Sequence, residues 1–223
     1  MATIKKEMKK IVVVMLLVVG LMSVLLISAA WLRTSGQNLL GSLQDGPVML
    51  KIPPLAQLQV TSCGEAVIVM TYNYAHPESL LNEADVIAYA AEKGYFTEEA
   101  EPFTSPANMV KITGNYTKDY SSGTVSNSDQ GLSLLIRKLK NGEPVIIDVQ
   151  TDLNDPASGA HFVVVTGVAV DPNEPDLITI YYNNPQTGLS ESAMWGGDAG
   201  IWRAWQNNPD PGGSGWWLVI STP

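Results

Sequence analysis

The sequence predicts an α+β domain whose first half is helical and whose second half forms an antiparallel sheet, with one transmembrane helix in front of the domain. Three observations predict this architecture. An uncharged apolar stretch opens the chain, segments with helical spacing of apolar residues follow up to about residue 140, and β-branched apolar runs occupy much of the remainder. Helices that precede strands along a chain are typical of α+β domains rather than of alternating α/β folds.

The first 32 residues have the pattern of a membrane anchor. Residues 1–10 contain four lysines, and no charged side chain occurs in residues 11–32. About 20 apolar residues cross a bilayer as a helix, and the positive-inside bias keeps the lysines cytoplasmic, so we expect an extracytoplasmic domain on a single-pass anchor. The alternative is a signal peptide cleaved at the small residues 28–30, which would give a secreted protein. Because the apolar run is long for a signal peptide, the anchor is favoured.

The charge balance and the cysteine count exclude several classes of protein. The chain carries a formal charge of −9, but residues 1–33 hold five basic side chains and one acidic one, so the remainder carries −13. A domain this acidic lacks the basic surface that nucleic-acid binding needs. One cysteine in 223 residues rules out an internal disulfide and the cysteine-based zinc sites. The sequence has no Walker motif, so no nucleotide is expected, and no metal or other cofactor is predicted.

Residues 33–47 are polar and contain glycine, which predicts a linker, and the domain is expected to occupy residues 48–223. Apolar spacing, a proline at a favoured first helical position and glycine or asparagine stops predict four helices. In chain order they are Cys63–Ala75, residues 78–93, a short helix opened by Ser105-Pro106, and Ser128–Lys140. Four β-branched runs predict strands at residues 145–149, 161–170, 178–183 and 216–221.

The single cysteine, Cys63, stands at the start of the first predicted helix. Ser62 and Glu65 have the spacing of a capping box ahead of an apolar run, which makes Ser62 the N-cap and places Cys63 in the first turn. The helix dipole and the free backbone N–H groups favour an anion there, so we expect a lowered thiol pKa and a nucleophilic cysteine. A buried structural cysteine is the alternative that this segment leaves open.

A nucleophilic cysteine needs a base, and the chain has two histidines. His76 stands before a proline at a helix end, where histidine often caps carbonyl groups, and we interpret it as structural. His161 opens an apolar strand, so its ring is expected at the end of the sheet, where a site can form. The next predicted strand ends in two asparagines, and the alternation of side chains favours Asn184 over Asn183 as the amide that orients the imidazole.

These residues resemble the pattern of cysteine peptidase family thirty-nine, the papain-like double-glycine peptidases that process bacteriocin leaders, together with their stand-alone relatives. The resemblance rests on Gln57 six residues before Cys63-Gly64, on His161 at the start of an apolar strand, and on Asn184-Pro185 with Gly188 shortly after. It extends over about residues 48–220. It implies a papain-like fold in which Gln57 binds the oxyanion, Cys63 is the nucleophile and His161 is the general base.

One residue departs from the family pattern, because Asn184 stands where the family usually has aspartate. Papain-like enzymes elsewhere use asparagine at this point, although a neutral amide stabilises an imidazolium less than a carboxylate does. We therefore expect a membrane-anchored, extracytoplasmic cysteine peptidase with a Cys-His-Asn arrangement and a peptide or protein substrate. Two alternatives stay open: a catalytically silent papain-like domain that binds partners at the cell surface, and an acyl or peptidyl transferase with the same nucleophile.

Overall fold

The computed structural model describes residues 46–222. The predicted basic segment, the membrane anchor or signal peptide, and nearly all of the predicted linker lie outside this range. Among residues 46–222, no helix is both long enough and apolar enough to cross a membrane. The described residues form a mixed helical and antiparallel-sheet domain, as the sequence predicts.

Five helices and seven strands lie within the described range. In chain order they are β1 (Val48–Met49), α1 (Cys63–Ala75), α2 (Glu83–Glu92), α3 (Pro106–Tyr116), β2 (Tyr120–Thr124), α4 (Ser128–Lys140), β3 (Val145–Gln150), β4 (Ala160–Val170), β5 (Ile178–Asn184), β6 (Leu189–Met194), α5 (Ile201–Gln206) and β7 (Trp216–Ile220).

The seven strands form one antiparallel sheet with β4 near its centre. The strand order is β2-β7-β3-β4-β5-β6, and β1 also pairs with β4. On one edge of β4, residues 160–165 pair with β3, and residues 167–168 pair with β1. On the other edge, residues 164–170 pair with β5. The first residues of β4 therefore lie beside the end of β5, and this pairing brings His161 to the segment that carries Asn184.

Helix α1 is the central helix of the core. It is buried without interruption from Gly64 to Tyr72, which is typical of a helix that is covered on all sides. Its apolar residues pack with α2 and α3 against one face of the sheet, where β3, β4 and β7 contribute Ile146, Phe162, Val164, Trp216, Leu218 and Ile220. We call this the α1 face. Strand β3 is buried along its whole length, and α4 and α5 also contact it.

The structure confirms the predicted helices and strands with one shift and several omissions. Helix α2 begins at Glu83 and not at residue 78, because the Asn82 side chain accepts a hydrogen bond from the Asp85 backbone N–H and caps the helix. The preceding Leu81 is held outside the helix, since its N–H donates to the Asn73 side chain over 2.8 Å.

The sequence analysis missed β2, β6 and the six-residue helix α5. Strands β2 and β6 read YSSGT and LSESAM and lie at the two edges of the sheet. Edge strands are half exposed, so they lack the apolar β-branched runs that reveal the central strands. The short strand β1 pairs where Gly167 removes a side chain from β4.

We predict that Gly167→Ala destabilises the domain by about 1–3 kcal/mol, because an added Cβ would overlap the Met49 sulfur and lie 2.9 Å from the Val48 carbonyl oxygen. The measurement is the urea midpoint of unfolding. Gly196→Ala is the matched control, since a Cβ at that position meets nothing within 4 Å. Equal midpoints for the two variants would contradict the prediction.

Candidate active site

Cys63 is the first residue of α1, at the junction between the loop of residues 57–62 and the helix. Ser62 is the N-cap residue and Cys63 lies in the first turn, as predicted, but the side-chain bonds of the predicted capping box do not form. The Ser62 hydroxyl donates to the Glu83 carboxylate over 2.7 Å and does not cap the helix. Glu65 instead accepts a hydrogen bond from the Thr104 hydroxyl, also at 2.7 Å. A charged acceptor makes the stronger hydrogen bond, so the tertiary contact with Glu83 prevails over the local one.

Glu83 fixes the loop in front of Cys63. Besides the Ser62 hydroxyl, its carboxylate accepts the Leu58 backbone N–H over 2.9 Å, and Glu83 is 4% exposed. The N-terminal residue of α2 thereby holds two points of the loop that leads into α1. This arrangement sets the direction from which the chain reaches Cys63.

Burial raises the pKa of the Cys63 thiol to about 12. Hydrogen bonding by the Phe162 and Gly64 backbone favours the thiolate, while the charges of Glu65 and Asp148 oppose it. The expected lowering of this pKa is therefore not observed. A helix N-terminus favours an anion by a modest amount, and the loss of hydration together with two nearby carboxylates outweighs it.

His161 lies in β4 with 6% of its surface exposed, and its Nε2 is 2.8 Å from Asn184 Oδ1. An amide oxygen only accepts hydrogen bonds, so Nε2 carries the proton and Nδ1 is left as the basic nitrogen of the neutral ring. The Gln186 backbone N–H also donates to Asn184 Oδ1, over 3.0 Å. The partner of the imidazole is Asn184. Asn183 points the other way and donates to the Ile52 carbonyl.

Glu191 holds the Asn184 amide from the opposite side. Asn184 Nδ2 donates to the two Glu191 carboxylate oxygens over 3.2 and 3.3 Å. The Thr187 and Tyr182 hydroxyls donate to the same carboxylate over 2.6 and 3.2 Å. Because the NH₂ group faces a carboxylate, the amide oxygen must face His161. Glu191 thus determines which end of the amide the imidazole meets.

The two ionisable groups of this network respond to burial in different ways. Burial lowers the pKa of His161, although the Asn184 hydrogen bond and the charge of Glu191 act to raise it. Burial also opposes ionisation of Glu191, but hydrogen bonds from Thr187, Asn184 and Tyr182 outweigh it and lower the pKa of Glu191. At neutral pH the site therefore contains a neutral imidazole with a carboxylate behind its amide partner.

Gln57 lies beside the Asn184-Pro185 turn, since its backbone N–H donates to the Pro185 carbonyl over 2.8 Å. Its side-chain Nε2 donates to the carbonyls of Gln59 and Val60 at 2.8 and 2.7 Å. The side-chain oxygen is buried without a hydrogen-bond partner. In this state both amide hydrogens of Gln57 are engaged within its own loop.

The structure brings His161 and Asn184 into contact and places Gln57 at the same turn. Cys63 lies against β4 through the Phe162 backbone, one residue along the chain from His161. No hydrogen bond joins the Cys63 thiol to the His161 ring, both of which belong to the described residues. His76 is remote from this group: its ring stacks on Tyr72 with 4.5 Å between centroids, at the end of α1.

The sequence analysis missed Glu191 and the carboxylates near Cys63. Glu191 lies in the polar edge strand β6, opposite Tyr182 in the register. Its role depends on knowing that β6 exists and how it pairs, and no local motif marks it. Asp148 was visible as a lone acidic residue within the apolar run Val145–Gln150, which is the one sequence signal that could have drawn attention to it.

The family model described as the Peptidase_C39 like family matches residues 49–208 of the chain. This range covers well over half of the sequence and includes every residue of the site described above. No curated protein matches the chain.

We predict that the reaction of Cys63 with iodoacetamide accelerates steadily from pH 7 to pH 9.5 in the folded, ligand-free protein. The thiolate is the reactive form, and a pKa raised to about 12 keeps its fraction rising about tenfold per pH unit below that value. The measurement is the alkylation rate by mass spectrometry. Cys63→Ala, which removes the chain's single thiol, must abolish labelling.

A rate that already reaches a plateau near pH 6 would contradict this prediction. It would mean that Cys63 and His161 form an ion pair before any substrate is bound. Urea-unfolded protein supplies the reference, because its thiol titrates near the ordinary cysteine value of about 8.5.

Proposed function

The chain belongs to the Peptidase_C39 like family, and we propose that it is a cysteine peptidase in which Cys63 attacks the substrate and His161 transfers the proton. The observation that carries the proposal is the 2.8 Å hydrogen bond from His161 Nε2 to Asn184 Oδ1. This bond leaves Nδ1 of His161 as the proton acceptor. Phe162, the next residue of the same strand, lies against Cys63, the only cysteine of the chain. The family is one of peptidases, which hydrolyse peptide bonds.

The proposed reaction follows from these positions. Nδ1 of His161 accepts the thiol proton as the Cys63 sulfur bonds to the peptide carbonyl carbon, so the sulfur need not be ionised beforehand. The imidazolium then gives this proton to the leaving amine, and the C–N bond breaks to leave a thioester. Water activated by the same imidazole hydrolyses the thioester and restores the thiol.

Negative charge on the tetrahedral intermediate needs hydrogen-bond donors. The Cys63 backbone N–H at the start of α1 is one such donor, because the first N–H groups of a helix have no partner within the helix. Gln57 is the proposed second donor. To donate to the oxyanion, the Gln57 amide gives up one of its two hydrogen bonds to the carbonyls of its own loop. Formation of the oxyanion site therefore requires a small movement of residues 57–60.

Asn184 and Glu191 support the positive charge that His161 acquires during the reaction. The amide oxygen accepts the Nε2 proton, and the Glu191 carboxylate behind it adds a negative charge that a lone asparagine would not supply. In this way a Cys-His-Asn arrangement regains part of the stabilisation that aspartate gives in the family pattern. Glu191 is a positioning residue, since it acts through Asn184.

The proposed location is the outer side of a membrane, with the domain carried on the N-terminal anchor. Its support is the sequence: four lysines precede an uncharged apolar stretch, as the positive-inside bias requires for an outward-facing domain. The substrate would then be a peptide or protein segment that is exported or already outside the cell.

A second candidate is a binding domain without catalysis. Two observations favour it: no hydrogen bond joins Cys63 to His161 among the described residues, and both Gln57 amide hydrogens are engaged. Catalytic hydrogen bonds are often long in ligand-free enzymes and tighten with substrate, so the two candidates are separated by experiment.

The test uses the full chain in detergent under reducing conditions with a mixed peptide library and a peptidyl vinyl sulfone. We expect hydrolysis by the wild type and covalent labelling at Cys63, with neither in Cys63→Ala. His161→Gln is expected to lower hydrolysis about 10²–10⁴-fold while iodoacetamide still reaches Cys63. A folded wild type that neither hydrolyses the library nor takes the label would leave the binding domain as the function.

We predict that Glu191→Gln lowers kcat/KM about tenfold and moves its acid limb to lower pH. The charge of Glu191 raises the pKa of His161, so its removal lowers that pKa further and makes the imidazole a weaker base. The measurement is the pH profile of peptide hydrolysis. Glu174→Gln, in an exposed loop, is the control; an unshifted acid limb in Glu191→Gln would refute the positioning role.

A further inference from the structure

A small cavity of about 20 Å³ lies directly beside Cys63 on the α1 face of the sheet. Its walls include the aromatic rings of Phe103 and Phe162 and the carboxylates of Glu101 and Asp210. Its volume accommodates a group of the size of a water molecule or an ammonium. Cys63 is part of the wall, so a group in this cavity lies next to the candidate nucleophile.

A third carboxylate, Asp148, stands behind this cavity. It faces Phe162 across the β3–β4 ladder and is therefore on the same side of the sheet as the cavity wall. Asp148 is fully buried and no other side chain of the described residues donates to it; its neighbour is the Asp210 carboxyl, with which it can hydrogen-bond only while one of the two groups holds a proton. Gly213 closes one side of this carboxylate, because a Cβ there would overlap an Asp148 oxygen. A buried pair of carboxyl groups that only a shared proton satisfies offers a place where a cation can substitute for that proton.

No cation of the chain satisfies these three carboxylates within the described range. The ion pairs among residues 46–222 involve Glu78, Glu92 and Glu143 instead. The guanidinium of Arg203 donates to the Gln150 side chain and to the Leu153 carbonyl. Burial and then the charge of Asp210 raise the pKa of Asp148. Burial and then the charge of Glu101 raise the pKa of Asp210 to about 6, while its hydrogen bond with Asp148 acts to lower it.

We propose that this acidic pocket is a substrate subsite that accepts the ammonium group of a lysine side chain of the peptide whose bond Cys63 attacks. The ammonium takes the place of the proton that Asp148 and Asp210 share and also faces the Glu101 carboxylate, and the aromatic walls cover the aliphatic part of the side chain. Gly159 keeps Glu101 open to such a ligand, since a Cβ there would lie 3.2 Å from Glu101 Oε1. This inference rests on the proposed peptidase function.

The position of the pocket assigns it to one side of the scissile bond. His161 and Phe162 are consecutive residues of a strand, so their side chains point to opposite faces of the sheet. The leaving amine receives its proton from His161 and must lie on that side. The pocket beside Phe162 therefore receives a residue of the acyl part, which is N-terminal to the bond that is cut.

The test measures kcat/KM for peptides that differ at one position among the three residues before the scissile bond, with lysine, arginine, norleucine or glutamate there. We expect kcat/KM for the lysine peptide to exceed that for the norleucine peptide at least tenfold at one of these positions in the full-length wild type. In Asp210→Asn this ratio should fall close to one. Asp176→Asn, an exposed acidic residue remote from the pocket in sequence, is the control and should keep the wild-type ratio.

A second readout separates the pocket from the chemistry. The same peptides are titrated onto the full-length Cys63→Ala protein, and their Kd values are measured by fluorescence anisotropy. Tighter binding of the lysine peptide than of the norleucine peptide, lost when Asp210→Asn is added, supports the pocket even if no variant hydrolyses peptides. If norleucine peptides are hydrolysed or bound as well as lysine peptides, the proposed subsite is wrong and the peptidase proposal is unaffected.

Discussion

The placement of the candidate site depends on the pairing of strand β4, which is hydrogen-bonded along both edges. Its register with β5 puts His161 beside the end of that strand, where Asn184 meets it. Its register with β3 puts Phe162 opposite Asp148 and turns the Phe162 side chain toward α1. Because side chains alternate along a strand, the pairing of β4 turns His161, the candidate base, to one face of the sheet and Phe162, the neighbour of the candidate nucleophile, to the other. A slip of one residue would exchange them.

Much of the architecture follows from the sequence because its central elements are strongly apolar. Helix α4 has the same bounds as the predicted helix, since its apolar spacing, the Asn127 cap and the Asn141-Gly142 stop agree. The central strands are likewise evident from their β-branched runs. The edge strands β2 and β6 are not, because half of their residues face solvent and carry polar side chains. Their existence depends on partners that are distant in the chain.

The electrostatics of the site were less predictable than its composition. Local sequence context indicates Cys63, His161 and Asn184, and the family resemblance adds Gln57; the structure places His161 and Asn184 in contact. The local helix dipole predicts a lowered thiol pKa, yet burial of Cys63 and the charges of Glu65 and Asp148 raise it. The Ser62 hydroxyl likewise donates to Glu83 and does not cap its own helix. In each case contacts between segments that are distant in the chain outweigh a local preference. Such contacts cannot be predicted from the local sequence alone.

The hydrogen bond from the Gln57 N–H to the Pro185 carbonyl ties two loops that come from opposite ends of the domain. One loop leads into the helix of Cys63, and the other follows the amide that orients His161. A ligand that displaces residues 57–60 must therefore pull on the turn after Asn184, and with it on the imidazole. The loop that carries the proposed oxyanion donor and the turn that follows Asn184 are thus joined by a backbone hydrogen bond.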